Sequence, residues 1–182
     1  GCARAFALLL SFYLWGELSV STRLVLWLRT EQGFSAQAAD SQLAVFFVLL
    51  LGGRLSLAFV ELKKIGNWMI LTFSVFLSAG LYLLGLTVSP YFVALTGLTL
   101  APFFPVMMDQ AAKTFGPKGA QAVGVIIGIG NLSVMAMHVS IGALSDLFNL
   151  SQALFCGPLA LLAVGGALIW VQVRERRTLT PR

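Results

Sequence analysis

Residues 12–22 read FYLWGELSVST and lie inside an otherwise apolar run from Ala5 to Leu28. A run of this length is about what a helix needs to cross the hydrocarbon core of a bilayer. Glu17 lies at the middle of the run, where a carboxylate costs a few kcal/mol to insert and needs a partner or a water-filled cavity. The stretch therefore predicts a membrane helix whose acid has a partner or faces a water-filled cavity.

The whole chain has the composition of a membrane protein. Its 182 residues are 58% hydrophobic and 10% charged, whereas about a quarter of the residues in soluble domains are charged. A mean hydropathy of +0.90 excludes an ordinary soluble fold. The net charge of +5 comes from basic residues in short connections between apolar runs. With no basic face, the chain is not expected to bind nucleic acid.

Six apolar runs predict six membrane-spanning helices. Each is about twenty residues long, and none shows the alternation of barrel strands. We therefore expect an all-α membrane protein in which residues 1–182 form one transmembrane bundle, with residues 29–41 as a hydrated loop that includes at most a short surface helix. The predicted helices are 5–28, 42–60, 67–86, 91–112, 122–144 and 152–173.

Positively charged residues are concentrated in the connections on one side of the predicted membrane. Nine lie on that side, and Arg29 alone lies in a connection on the other. Because Lys and Arg accumulate in cytoplasmic loops, both termini are expected in the cytoplasm and the bundle in the plasma (inner) membrane. The nine residues are Arg4, Lys63, Lys64, Lys113, Lys118, Arg174, Arg176, Arg177 and Arg182.

A polar stripe runs along the first predicted helix. Tyr13, Glu17 and Ser21 follow one another at four-residue spacing, so a helix places them on one face. Such a face suits the wall of an aqueous path. Glu17 is then a proton-coupling or substrate-binding carboxylate, which is the default for an intramembrane acid. The alternative is a structural carboxylate that is hydrogen-bonded between helices.

The fifth predicted helix carries a second line of residues. Gly124 and Gly128 form a small-residue pair that indicates close helix packing. Asn131 is a candidate for lining a solute path, and His138 is a candidate proton relay. A structural, hydrogen-bonded histidine is the alternative. The full line consists of Gly124, Gly128, Asn131, Met135, His138 and Gly142.

Two prolines interrupt the fourth predicted helix. Pro102 and Pro105 each lack a backbone donor and favour a kink. Kinked helices at mid-membrane often border transporter sites. Prolines are also commoner in membrane helices than in soluble ones. We therefore interpret the pair as the flexible point of the bundle.

Further candidates for gating lie toward the predicted cytoplasmic side. Asp109 is expected to form a structural ion pair with Arg54 or Lys113. Gly52 and Gly53 precede Arg54 and permit close approach of another backbone. Arg54 can extend toward the inner surface, so this group has a gating or a packing role.

The sequence contains no motif that is typical of soluble enzymes. There is no phosphate-binding loop, no cluster of residues with metal-ligand spacing and no nucleophile motif. Cys2 and Cys156 are far apart and give no disulfide framework. We therefore expect a protein that is not an enzyme and has no metal site and no cofactor.

Four motifs occur in order along nearly the whole chain: YLWGELS at 13–19, GGR at 52–54 followed by KKIG at 63–66, GLTLAPFFP at 97–105 and GALSD at 142–146. In this order and spacing they resemble the C-terminal six-helix half of a major facilitator superfamily transporter, of the sugar–proton symporter type. The resemblance implies two inverted three-helix repeats and an N-terminal bundle that is absent from this sequence.

The resemblance also implies a function and partners. This half would contribute to secondary active transport of a small polar solute, with sugars among the candidates, coupled to protons by alternating access. Glu17 would be the coupling carboxylate, and Tyr13 and Asn131 would contact the solute. The expected partners are membrane lipid, the solute, protons, and the missing half or a second bundle. A multidrug-type efflux permease and a non-transporting membrane scaffold subunit are the alternatives.

Overall fold

The computed structural model describes residues 2–59 and 66–179, and within them the chain is helical and has no strand. An all-α fold is confirmed. The predicted turn that carries Lys63 and Lys64, and the terminal Arg182, lie outside the described residues. The helices are α1 (Cys2–Thr30), α2 (Ala36–Phe59), α3 (Asn67–Thr87), α4 (Tyr91–Leu100), α5 (Phe103–Phe115), α6 (Gly119–Leu147), α7 (Leu150–Ala153) and α8 (Cys156–Leu179), with a 3-10 turn at Gly116–Lys118.

In the described part of the chain, five helical segments are long and apolar enough to cross a membrane, where six were predicted. They agree with a membrane-embedded protein. The difference lies in one segment of 57 residues, which includes α4, α5, the 3-10 turn and α6. The segments are Ala3–Thr30, Ala36–Leu57, Asn67–Thr87, Tyr91–Leu147 and Leu150–Val173.

Local chemistry explains where the helix ends differ from the prediction. The second helix begins at Ala36 and not at residue 42, because the Ser35 hydroxyl accepts a hydrogen bond from the Ala38 amide at 3.2 Å. A serine in this position satisfies one of the free donors of the first helical turn. α5 ends at Gly116, whose φ of +52° favours glycine. Because α5 packs against α6, the chain reverses there.

The central helix of the bundle is α1. In its most apolar stretch 61% of the residues are buried, against 17% in both α2 and the Tyr91–Leu147 segment. α1 contacts α2, α4, α5, α6 and α8. Among the described helices, Glu17 therefore lies on the one that contacts the largest number of others.

Helices pack on two sides of α1. On one side α2 packs closely on α4, where Gly97 lies against the backbone carbonyl of Phe46 and leaves no space for a larger side chain. On the other side α3 packs on α8. α3 also contacts α4 and α5, so it joins the two sides.

Candidate functional site

Glu17 is buried and forms an ion pair with Arg54 of α2. The residue is 8% exposed. Arg54 Nη2 lies 3.1 Å from Glu17 Oε1 and 2.9 Å from Oε2. Arg54 was one of two predicted partners of Asp109, and the structure pairs it with Glu17. Arg54 instead neutralises the one acid that lies deep in the first helix.

The close approach of α2 to the α4–α5 junction positions Arg54. A Cβ atom added to Gly53 would lie 2.6 Å from Ala101 Cβ, so glycine allows this contact as predicted. Gly52 has no other atom within 4 Å of such a Cβ, and its predicted packing role is not observed. The Arg54 guanidinium lies 5.7 Å from the centre of the Phe104 ring, a cation–π contact.

Tyr13 completes the cluster from one turn earlier on α1. Its hydroxyl donates to Glu17 Oε2 and also lies 3.1 Å from the carbonyl oxygen of Leu100. Its ring stacks on Phe103, with centroids 4.0 Å apart and an interplanar angle of 10°. The predicted proximity of Tyr13 and Glu17 is confirmed. A single hydroxyl hydrogen serves two acceptors, so the cluster has more than one hydrogen-bonding arrangement.

The fourth predicted helix is divided at Ala101 and Pro102, between α4 and α5. Pro102 is the residue before α5, and Pro105 lies in the first turn of α5, where its missing N–H has little cost. Hydroxyls of neighbouring helices donate to carbonyls at this break. Tyr13 donates to Leu100, and Ser74 of α3 donates to Thr99 at 2.5 Å. These bonds give two carbonyl oxygens at the break hydrogen-bond partners from neighbouring helices.

Ser21 makes no hydrogen bond to Glu17 in the described part of the chain. Its hydroxyl lies 3.5 Å from the carbonyl oxygen of Leu18 on its own helix. Residues at four-residue spacing share one face of a helix, so Ser21 continues the face of Tyr13 and Glu17. The observed cluster contains Tyr13 and Glu17, and the role of Ser21 in a polar path stays a prediction.

Asn131 and His138 lie apart from the Glu17 cluster. α6 turns Gly130 toward Leu10 and Leu14 of α1. Since successive residues are about 100° apart around a helix, Asn131 and His138 lie on the flank of that contact. Asn131 is exposed and His138 is half-buried. No described hydrogen bond or ion pair joins either residue to Glu17, and their predicted roles in a solute path and a proton relay stay predictions.

The exposed flank of α6 also includes the small-residue pair. Cβ atoms added to Gly124 and Gly128 would have no neighbour within 4 Å among the described residues. The predicted close helix packing is therefore absent from the described part of this chain. This flank is available to another molecule or to lipid.

Asp109 pairs with Lys113, which is one of its two predicted partners. The Lys113 ammonium lies 2.5 Å from Asp109 Oδ2, and the Asn67 side-chain amide donates to the same oxygen at 2.8 Å. The contact with Asn67 joins the start of α3 to the end of α5. This group is a structural tie at the helix ends, separate from Glu17.

No sequence pattern predicted a contact at the opposite end of α1. The Glu31 carboxylate accepts hydrogen bonds from the backbone amides of Leu150 and Ser151, at 2.7 and 2.9 Å. Trp27 Nε1 donates to the Ser151 hydroxyl at 2.7 Å. Partial burial raises the pKa of Glu31, but the hydrogen bonds from Ser151 and Leu150 lower it by more, so the pKa lies below its ordinary value. We call this contact the Glu31 clasp.

One signal in the sequence could have found the Glu17–Arg54 pair. Of the seven acidic residues, Glu17 is the one at the centre of an apolar run, and Arg54 lies six residues inside the end of the second predicted helix. Opposite charges inside a bilayer are almost always paired with each other. The charges inside the predicted spans are Glu17, Arg23, Arg54 and Asp109, so counting them would have limited the partner of Glu17 to Arg23 or Arg54.

Comparisons with protein-family models, with curated proteins and with solved structures find no match to this chain.

Proposed function

We propose that this chain is one six-helix half of a proton-coupled secondary transporter of the major facilitator type, which moves a small polar solute. The observation that carries the proposal is the buried Glu17–Arg54 ion pair beside the Pro102 break. Intramembrane charges of this kind mark proton relays and solute pathways. For stability alone, apolar side chains of similar volume would serve as well or better.

Protonation of Glu17 would rearrange the hydrogen bonds of the cluster. With Glu17 ionised, the Tyr13 hydroxyl donates to the carboxylate. With a proton on Glu17, the new O–H would donate to the Tyr13 oxygen, and the Tyr13 hydrogen would turn to the Leu100 carbonyl, which lies 3.1 Å away. In both protonation states of Glu17, the Tyr13 hydroxyl therefore has an acceptor for its hydrogen. A proton on Glu17 thereby changes a contact with the helix break, which is the proposed flexible point.

In this proposal α1–α3 form one inverted repeat, and α4–α5, α6 and α7–α8 form the other. Exposed apolar side chains on α2 and the exposed flank of α6 support a second bundle as partner, either an N-terminal half or another copy. The bias of Lys and Arg supports cytoplasmic termini in a plasma (inner) membrane. Rocking of the two bundles would then expose the Glu17 cluster alternately to each side.

Proton uptake into liposomes tests this function. The full chain is reconstituted with a pH-sensitive dye inside, and glucose, lactate or acetate is added outside. Acidification is scored above that of protein-free liposomes, because protonated acetate and lactate cross a bilayer unaided. This protein-dependent acidification is expected for the wild-type chain and absent for Glu17→Gln. Glu31→Gln is the matched control, because it neutralises a carboxylate outside the apolar segment of α1. Equal acidification by wild type and Glu17→Gln contradicts the proposal, as does none in either.

A non-transporting assembly subunit is the second candidate. It is favoured by the full pairing of Glu17 and by the separation of Asn131 and His138 from it. This candidate predicts that Glu17→Gln destabilises the chain or its complex and that no solute drives proton uptake. The liposome measurement therefore separates the two functions.

A further inference from the structure

We propose that the transported solute is a monocarboxylate anion and that Arg54 binds it, in place of Glu17, when Glu17 is protonated. The inference rests on the proposed function and names its substrate class. It is based on the unused hydrogen-bonding capacity of Arg54, on the unequal exposure of the two charges, and on the charge balance of the pair.

Arg54 uses little of its hydrogen-bonding capacity in the ion pair. Both oxygens of Glu17 contact the same nitrogen, Nη2. Nε of Arg54 is buried and has no partner among the described residues. A guanidinium has five N–H donors in a planar fork that matches a carboxylate. Arg54 therefore has donors left for a second carboxylate.

The arginine is the more accessible member of the pair. Its side chain is 30% exposed, whereas that of Glu17 is 11% exposed. The Phe104 ring lies against the guanidinium. A solute that approaches the pair from the open side therefore meets Arg54 first, and its oxygen atoms must bind at the edge of the guanidinium.

Charge balance favours an anion over a neutral solute. The pair is neutral while Glu17 is ionised. A proton on Glu17 leaves Arg54 with an uncompensated charge among apolar helices, which is strongly unfavourable. A bound monoanion restores neutrality, whereas a sugar does not. Proton and anion would therefore bind together and cross the membrane with no net charge.

The other groups around Glu17 do not provide this compensation. Its own helix contributes Tyr13, and α2 contributes Arg54. The α4–α5 junction contributes the Leu100 carbonyl and two phenylalanine rings to the cluster. α6 and α8 meet neighbouring turns of α1 through the uncharged Gly130 and Leu161. Within the described residues, Glu17 and Arg54 are the oppositely charged pair that this exchange requires.

The first test measures binding by the thermal unfolding of the full chain in detergent, with acetate, lactate or benzoate as probes and glucose as the neutral comparison. A monocarboxylate is expected to raise Tm at mildly acidic pH and less at neutral pH, and glucose to leave it unchanged. Arg54→Met should remove the shift, and Arg29→Met, outside the pair, should retain it. The inference is overturned if glucose alone raises Tm or if none of the probes does. It is also overturned if a monocarboxylate raises the Tm of Arg54→Met as much as that of the wild-type chain.

Glu17→Gln keeps the inference testable if Arg54→Met does not fold. This variant resembles the protonated state and keeps Arg54. It is expected to bind the monocarboxylate about tenfold more tightly or better at neutral pH and to lose the pH dependence of binding. Unchanged affinity and unchanged pH dependence overturn the inference.

Failure of this inference differs from failure of the proposed function. Proton uptake driven by glucose and not by a monocarboxylate leaves the transporter proposal in place. It contradicts the inference that the solute is a monocarboxylate anion. Binding of a monocarboxylate that depends on Arg54 and on pH, without any proton uptake, supports the anion site and contradicts transport by this chain.

Discussion

Opposite sides of α1 carry polar contacts of different kinds. On one side Glu17 and Tyr13 meet α2 and the α4–α5 break through an ion pair. On the other side the Ser19 hydroxyl lies 3.0 Å from the Tyr82 hydroxyl of α3, and both residues are buried. We call these the charged side and the hydroxyl side. Both sides are hydrogen-bonded, although Arg54 Nε has no partner among the described residues, and in the proposed function only the charged side changes its arrangement on protonation.

The hydroxyl side continues as neutral contacts between helices. Ser78 and Thr99 join α3 to α4 with hydroxyl oxygens 2.7 Å apart. Gln172 of α8 donates to the Thr72 hydroxyl of α3 at 2.6 Å. Neutral hydroxyls and amides do not titrate near neutral pH, so these contacts are the same before and after a proton binds. α3 and α8 thus form the constant part of the bundle, and α2 with the break forms the part that responds.

The largest expected difference between the sides comes from deletion of their α1 side chains. Glu17→Ala leaves Arg54 unpaired among apolar helices and should lower the free energy of unfolding by about 3–5 kcal/mol. Ser19→Ala removes a neutral interhelical bond and should lower it by about 0.6–1.7 kcal/mol. Unfolding in detergent mixtures, followed by circular dichroism, gives both values.

The double variant Glu17→Met/Arg54→Met is the control for this comparison. It replaces the ion pair by apolar side chains and should recover most of the stability that Glu17→Ala loses. Equal losses for Glu17→Ala and Ser19→Ala would contradict the distinction between the two sides.

Each side also contains one buried tyrosine, which gives a smaller comparison. Tyr13→Phe removes a hydrogen bond to a charged group and should cost about 1.5–3 kcal/mol. Tyr82→Phe removes a neutral one and should cost about 0.6 kcal/mol. In liposomes Tyr13→Phe should slow proton uptake, and Tyr82→Phe should not. The reverse order of stability losses would refute the assignment of Tyr13 to the responsive side.

The sequence was sufficient for features that depend on one helix at a time. Length and apolar composition predicted the all-α membrane fold, and a four-residue spacing placed Tyr13 beside Glu17. Pro102 marked a break, because its effect on the backbone is local. These features could be predicted since no information on neighbouring helices is needed.

Features that depend on two helices could not be predicted in the same way. The spacing on α6 correctly places Asn131 and His138 on one flank, but it does not tell which helix that flank meets. The same applies to Asp109, for which Arg54 and Lys113 were both predicted as partners; Lys113 is its partner, and Arg54 pairs with Glu17. The Glu31 clasp joins segments 119 residues apart in the chain, and no periodicity relates them.

A third comparison concerns how closely helices approach on the charged side. Gly53→Ala would place a methyl group 2.6 Å from Ala101 Cβ and push α2 from the break. A loss of about 1–3 kcal/mol is expected, as for other overpacked sites. The adjacent Gly52→Ala meets open space and should change stability by less than about 1 kcal/mol. Similar losses in the two variants, measured by unfolding, would show that the Gly53 contact does not hold the charged side together.

The smallest effect is expected at the Glu31 clasp, which lies beyond both sides at the end of α1. Hydrogen bonds from Ser151 and Leu150 hold the pKa of Glu31 below its ordinary value of 4.5, against the opposing effect of partial burial. A lowered pKa in the folded state stabilises the fold above the ordinary pKa, and this stabilisation is lost as pH falls through the folded-state pKa. Because Glu31 is exposed, the loss should be below about 1 kcal/mol.

Thermal unfolding of wild type and Glu31→Gln across acidic pH measures this effect. The wild-type chain should lose its advantage over Glu31→Gln as the carboxylate is protonated, while Asp40→Asn, an exposed control on α2, should follow the wild-type pH dependence. Glu17 is common to all three chains, so any titration of the charged side cancels in their differences. A constant difference between wild type and Glu31→Gln at every pH would mean that the clasp acts through packing. Proton sensitivity would then be confined to the charged side of α1.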